Sequence, residues 1–174
     1  MKHRKRVLAI LLFISMILST VSVGVPAKAA AAPAPGAFSK GADISWLPQL
    51  EALGHKFYND NGEEQDLLLI LKDHGIDSIR IRAWVNPSDD PSNGHNSTEE
   101  VVALASRVSA LGFRVMIDFH YSDSWADPGK QVTPAAWADA DLEQLKVHVS
   151  DYTADVMKAL QDAGVTPEWV QIKD

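Results

Sequence analysis

From residue 38 onward, apolar and polar positions switch repeatedly between a short-run pattern and a helical one. Gly41-Ala42-Asp43-Ile44 is a short strand candidate, and Asn59-Asp60-Asn61-Gly62 carries turn chemistry. Glu63 to His74 reads as a leucine-rich helix stopped by Gly75. Ser78 to Val85 is then a strand of β-branched and aromatic residues. Ser97 with Glu100 offers a capping box, and Val101, Leu104, Ala105, Val108 and Leu111 follow at helical spacing until Gly112. Phe113 to Phe119 is the next strand, Leu142 to Ala163 a long helix stopped by Gly164, and Trp169 to Ile172 a fourth strand.

Three helices thus close with glycine followed by an apolar residue and then a strand: Gly75-Ile76, Gly112-Phe113 and Gly164-Val165. Strand, helix and strand at this spacing make βαβ units and predict an α/β fold with a parallel sheet. A doubly wound nucleotide-binding sheet is the alternative. It is disfavoured because Gly41, Gly62 and Gly94 are isolated and no glycine-rich phosphate loop follows a strand.

The first 37 residues follow neither pattern. A basic start from Lys2 to Arg6 leads into an apolar run from Val7 to about Val25, then Ala27-Lys28-Ala29-Ala30. That order predicts a signal peptide over residues 1–29, with an Ala/Pro linker over 30–37 and the folded domain over 38–174. An uncleaved membrane anchor is the alternative, but Ser15, Ser19, Thr20, Ser22 and Gly24 dilute the run. The expected localisation is therefore secreted and extracellular, in keeping with a bacterial protein.

Charge narrows the partners. The chain carries −7 overall, but five of its 16 basic residues precede Ala30. The remainder sets 11 bases against 23 acids, a balance of −12. An acidic body without a basic stripe argues against nucleic acid and anionic membrane, and suits neutral partners such as sugars. With no cysteine there are no disulfides, thiolate metal sites or cysteine nucleophile. No His-x-His or His-Glu-x-x-His pattern and no Gly-x-Ser-x-Gly is present, so neither a metal, a cofactor nor a serine nucleophile is expected.

Parallel α/β folds bind ligands beyond the C-terminal ends of their strands. There, Arg80, Arg82 and Trp84 share one parity of the second strand, which ends at Asn86-Pro87. Met116, Asp118 and His120 share one parity of the third, and the first ends at Asp43-Ile44-Ser45-Trp46. Charged groups on an interior face must be paired or line a wet pocket, because burying them unpaired costs several kcal/mol. For the deeper Arg80 and Asp118 an internal ion pair and a functional role remain equally open. Arg82 and His120, nearer the strand ends, fit a functional role better. Trp46, Trp84 and Trp125 all stand at or just after strand ends in polar surroundings, the arrangement of a saccharide cleft in which indoles stack on sugar rings; ordinary loop packing is the alternative. Trp137 and Trp169 lack that placement and are assigned to the core. Asn96-Ser97-Thr98 is formally a glycosylation sequon, but its place at a helix cap favours a structural role.

Four segments carry a family resemblance: Lys40 to Trp46, Phe57 to Gly62, Ile79 to Pro87, and the long Met116 to Gln131. Together they resemble glycoside hydrolase family 53, over residues 40–172. The resemblance implies a (β/α)8 TIM barrel, of which this chain would cover about the first four strands as a half barrel. It implies retaining endo-hydrolysis of β-1,4-galactosidic bonds in type I arabinogalactan, with galactan as partner. Two glutamates about 5 Å apart would act as nucleophile and acid/base. Arg82 and His120 would support the pocket around them, and Asp43, Trp46, Trp84, Asn86, Asp118 and Trp125 would bind substrate. The family follows its fourth strand with Gly-Asn-Glu, whereas this chain reads Lys173-Asp174. Both catalytic glutamates are therefore expected to lie outside this chain, leaving it inactive alone. A non-catalytic galactan-binding fragment and a half that pairs with its own copy are the other expectations.

Overall fold

A computed structural model describes residues 38–88, 90 and 95–172. The segments assigned to a signal peptide and linker, and the Lys173-Asp174 ending, lie outside the described residues. Four strands form one parallel sheet in the order β1 (Gly41–Asp43), β2 (Ser78–Ala83), β3 (Arg114–Phe119), β4 (Trp169–Ile172). The register sets Asp43 beside Arg80, Arg82 beside Asp118, and Asp118 beside Gln171. Two successive rows of charged and polar side chains, Asp43–Arg80 and Arg82–Asp118–Gln171, therefore cross the inner face of the sheet.

The helices between strands are α1 (Leu47–Ala52), α2 (Leu67–Asp73), α3 (Thr98–Ala110) and α4 (Leu142–Asp162), with a 3₁₀ turn at Ala135–Trp137. In α3 the expected capping box forms, since Ser97 Oγ accepts from the Glu100 N–H while Glu100 accepts from the Ser97 N–H. Asp141 and Gln144 make the same exchange at α4. α2 starts at Leu67 rather than at the expected Glu63. Asn59 Oδ1 accepts from the N–H groups of Asn61 and Glu63, and Tyr58 pairs with Glu64, so the chain is still turning there. Asp66 then caps α2 by accepting from Leu68 N–H at 2.8 Å.

All three glycine stops work alike. Gly75, Gly112 and Gly164 take φ of 79°, 79° and 76°, the left-handed region that costs glycine nothing. The next residue then donates back to the carbonyl five positions earlier: Ile76 to Leu71, Phe113 to Val108, Val165 to Leu160. This Schellman closure turns each chain straight into its next strand.

The core lies between the outer face of the sheet and the helices. Ile79, Ile81 and Ala83 of β2 and Val115, Ile117 and Phe119 of β3 are buried. They meet Val101, Leu104, Ala105 and Val108 of α3 and Val156 and Leu160 of α4. Each fully buried aliphatic side chain contributes about 1.5–3 kcal/mol. Arg107 of α3 adds a surface clamp, reaching Glu51 of α1 at 2.8 Å and the α2 cap Asp66 at 2.7 Å. No helix among the described residues is long and apolar enough to cross a membrane.

Candidate functional site

These polar side chains become a candidate site where the strands end. Arg80 reaches inward to Asp118, with Asp43 at 3.6 Å on its other side. Asp118 is fully buried and also meets His120 Nε2 at 3.0 Å. Burial alone would raise the Asp118 carboxyl. The hydrogen bond from His120 and the charge of Arg80 outweigh that and hold it below the usual carboxylate range. Arg80 and Asp118 thus form the internal ion pair, and Asp118 also holds His120.

Arg82 is different. Its side chain is almost completely buried, and its guanidinium carbon lies 4.4 Å from the Trp84 ring and 4.0 Å from the Trp125 ring, in the corner these two edge-to-face indoles make. Such desolvated cation–π contacts are worth about 2 kcal/mol. Burial pulls the Arg82 pKa down to about 10, opposed by the charges of Asp43 and Asp118, so it stays cationic at neutral pH. Its backbone N–H donates to Ser45 Oγ at 2.8 Å, and that hydroxyl donates to Asp43 Oδ1 at 2.6 Å. The end of β1 is thereby tied to the end of β2.

The aromatic residues close one wall. Trp125 meets Trp46 edge-on at 5.8 Å, Trp84 at 6.0 Å and His120 at 6.0 Å. Trp46 and Trp125 remain 45% and 38% exposed, which leaves indole surface open to a ligand. Trp84 is fully buried with Arg82 over its ring, so it backs Arg82 and presents no surface of its own to a ligand. Asn86 sits exposed just beyond β2, with its backbone N–H held by Asp123 Oδ1 at 3.0 Å. The other Asp123 oxygen accepts from Ala135 N–H at 2.8 Å and so pins the long loop after β3.

A cavity of about 400 Å³ runs along this wall, bordered by Asp43, Trp46, Leu47, Leu50, Arg82 and Trp125. A second, of about 260 Å³, adjoins His120 beneath the 122–134 loop. No glutamate among the described residues lines either cavity. The carboxylates at hand, Asp43 and Asp118, are engaged by Ser45, Arg80 and His120. Among the described residues no group of three or more His, Asp or Glu is placed to hold a metal.

Trp137 is buried and stacked on His148, while Trp169 is half-buried with Arg114 over its ring at 4.2 Å. Asn96 of the sequon is only 4% exposed and turned inward. Ser45, Asn96 and Asp123 are the site residues that sequence reasoning passed over. The one sequence signal for them was their position at or just beyond a strand end or helix cap.

Comparison with known proteins agrees with this geometry. The chain is 40% identical over 139 residues to an endo-beta-1,4-galactanase of Bacillus subtilis, covering 78% of this chain and 32% of that protein. It is 44% identical over 133 residues to arabinogalactan endo-beta-1,4-galactanase A of Emericella nidulans, covering 76% and 37%. Among solved structures, the GH53 catalytic domain of Ignisphaera aggregans superposes with a TM-score of 0.72 at 39% identity, covering 81% of this chain and 41% of that one. The chain therefore spans about a third to two fifths of the length of the relatives it matches. A partial (β/α)8 barrel accounts for the four-stranded parallel sheet. The model of glycosyl hydrolase family 53 matches residues 39–174, and the chain belongs to that family.

Proposed function

We propose that the ends of β1, β2 and β3 form one wall of a cleft for β-1,4-linked galactan, and that the whole protein cleaves that polymer with retention. The observation that carries the reading is the Arg82 guanidinium seated in the corner made by Trp84 and Trp125, with exposed Trp46 and Trp125 surface beside it. Indole faces suit the apolar face of a pyranose, and Asp43 offers a polar group on the same cavity. Retaining hydrolysis needs two carboxyl groups about 5 Å apart, one to attack the anomeric carbon and one to move the proton. The two carboxylates at hand are committed to ion pairs, so both glutamates must come from outside the described residues. The chain on its own then binds galactan without cleaving it.

The test is calorimetric titration of the chain with β-1,4-galactotetraose, alongside a reducing-sugar assay on galactan. Binding without hydrolysis is expected, and Trp125→Ala should weaken binding about tenfold, a ~1.4 kcal/mol step. Hydrolysis by the chain alone would show that its own carboxylates suffice. Failure of the unaltered chain to bind any galactan would remove the cleft assignment.

Export is part of the same proposal: the basic start, apolar run and Ala27-Lys28-Ala29-Ala30 suit cleavage near residue 29. N-terminal sequencing of protein recovered from culture medium tests it, and an intact Met1 on that protein would refute cleavage.

A further inference from the structure

We propose that Asn96 is a positioning residue that fixes the in-plane orientation of the Arg82 guanidinium. Its consequence for sugar binding rests on the cleft assignment above. Three observations converge on it.

First, Arg82 is buried with little to orient it. Among the described residues no carboxylate lies within ion-pair distance of it, and its Nε has no hydrogen-bond partner. The indoles of Trp84 and Trp125 stand at 77° to each other and meet the guanidinium carbon at 4.4 and 4.0 Å, but cation–π attraction does not direct individual N–H groups. A hydrogen bond does. The side-chain oxygen of Asn96 accepts from an Arg82 terminal nitrogen at 3.3 Å, while its amide nitrogen donates to the Ser45 carbonyl at 2.9 Å. That orientation of the amide is the one its neighbours satisfy.

Second, Asn96 joins three strand-end residues at once. Its backbone carbonyl accepts from Trp84 N–H at 3.0 Å, so one buried residue holds Ser45 after β1, Arg82 on β2 and Trp84 just beyond it.

Third, the placement is held against a backbone cost. His95 and Asn96 both adopt left-handed φ, 69° and 64°. Asparagine tolerates that region and histidine less so, and such conformations persist only where the surroundings enforce them. Here Glu100 does so from the first turn of α3. One of its carboxylate oxygens meets His95 Nδ1 at 2.6 Å, and the other accepts from Ser97 N–H at 3.1 Å. The capping box of α3 therefore also braces the loop that presents Asn96 to the cleft.

The experiment uses the full chain, labelled with 15N, and reads the Arg82 Nε–H resonance, assigned by its loss in Arg82→Lys. Lying against two indole rings, that resonance should be displaced upfield of the exposed arginines. Asn96→Ala should return it toward them, while the methyl signals of Ile79 and Ile117 stay in place. Asn96→Gly removes the same amide but eases the left-handed backbone, so it decides the matter if the alanine variant does not fold. Asn96→Asp keeps an oxygen acceptor for Arg82 and should retain the displacement. An Arg82 resonance unmoved in Asn96→Gly would overturn the proposal, because the indoles alone would then suffice. Loss of the displacement in Asn96→Asp as complete as in Asn96→Gly would overturn it too. Galactotetraose affinity is the second readout and should fall about tenfold in Asn96→Gly, as for loss of a hydrogen bond to a charged group. If the unaltered chain binds no sugar, the cleft assignment fails while the resonance still decides the role of Asn96.

Discussion

β2 and β4 are written in much the same apolar alphabet but live in different surroundings. β2 and β3 each bury five of their six residues, whereas β4 alternates half-buried and exposed positions. The outward side chains of β3, Ile117 and Phe119, are fully covered; those of β4, Val170 and Ile172, are 47% and 57% exposed. The central strands have neighbours on both edges and α3 and α4 over their outer face. β4 has a neighbour on one edge only among the described residues. Burial here is set by the layer around a strand rather than by the strand's own residues. The site follows the same division, since its buried charges sit on the covered centre and its exposed indoles lie in the loops beyond it.

The largest expected effect tests the centre. Ile117→Ala removes a fully buried side chain between α3 and β3, and should cost about 2–5 kcal/mol in chemical denaturation. A loss under 1 kcal/mol would mean that the centre is packed no better than the edge.

Next comes the buried charge. Asp118→Asn keeps the shape but weakens the bonds to Arg80 and His120, and should cost about 1.5–3 kcal/mol at pH 7. The pH dependence gives its signature. The folded carboxyl is held below its unfolded pKa of about 3.9, so its contribution is complete above that value and is lost as pH falls through the folded pKa. The two proteins should therefore converge in stability below about pH 4. A stability gap that stays constant into acid would show that the variant's cost lies in packing instead.

Most of the framework was legible in the sequence. The three glycine–apolar closures and the capping box at Ser97 were local signals, and local hydrogen bonds deliver them. The pairing of strand parity with function placed Arg80, Arg82, Asp118 and His120 on one face. The helix Leu47–Ala52 was missed because six residues carry no clear periodicity, and Pro48 reads as a breaker although it stands in the first helical turn. The roles of Ser45 and Asn96 were illegible for another reason. Their partners lie 37 or more residues away, or depend on which way a buried amide faces. Nor could the sequence show that Trp84 would be buried and Trp46 exposed, since that division depends on where Arg82 settles.

A smaller effect probes what centre and edge share. Gly75 leads into β2 and Gly164 into β4, both with left-handed φ and open space where a Cβ would sit. Alanine at either position should therefore cost about 1–2 kcal/mol, from backbone strain alone. Equal costs would establish that helix closure is local. A cost at Gly75 several times that at Gly164 would show that the covered centre amplifies a local defect.

The smallest effect falls on the edge itself. Ile172→Thr keeps β-branching and changes an outward side chain that is more than half exposed, so unfolding free energy should stay within about 0.5 kcal/mol. Measured at two protein concentrations a hundredfold apart, the same variant asks whether β4 is bare in solution. An apolar edge strand is a template for pairing, and polar substitution on it opposes association. If Ile172→Thr costs more than 1 kcal/mol only at the higher concentration, a second copy covers β4. If it does so at both, another part of the same polypeptide covers it, and the contrast between centre and edge disappears in the whole protein.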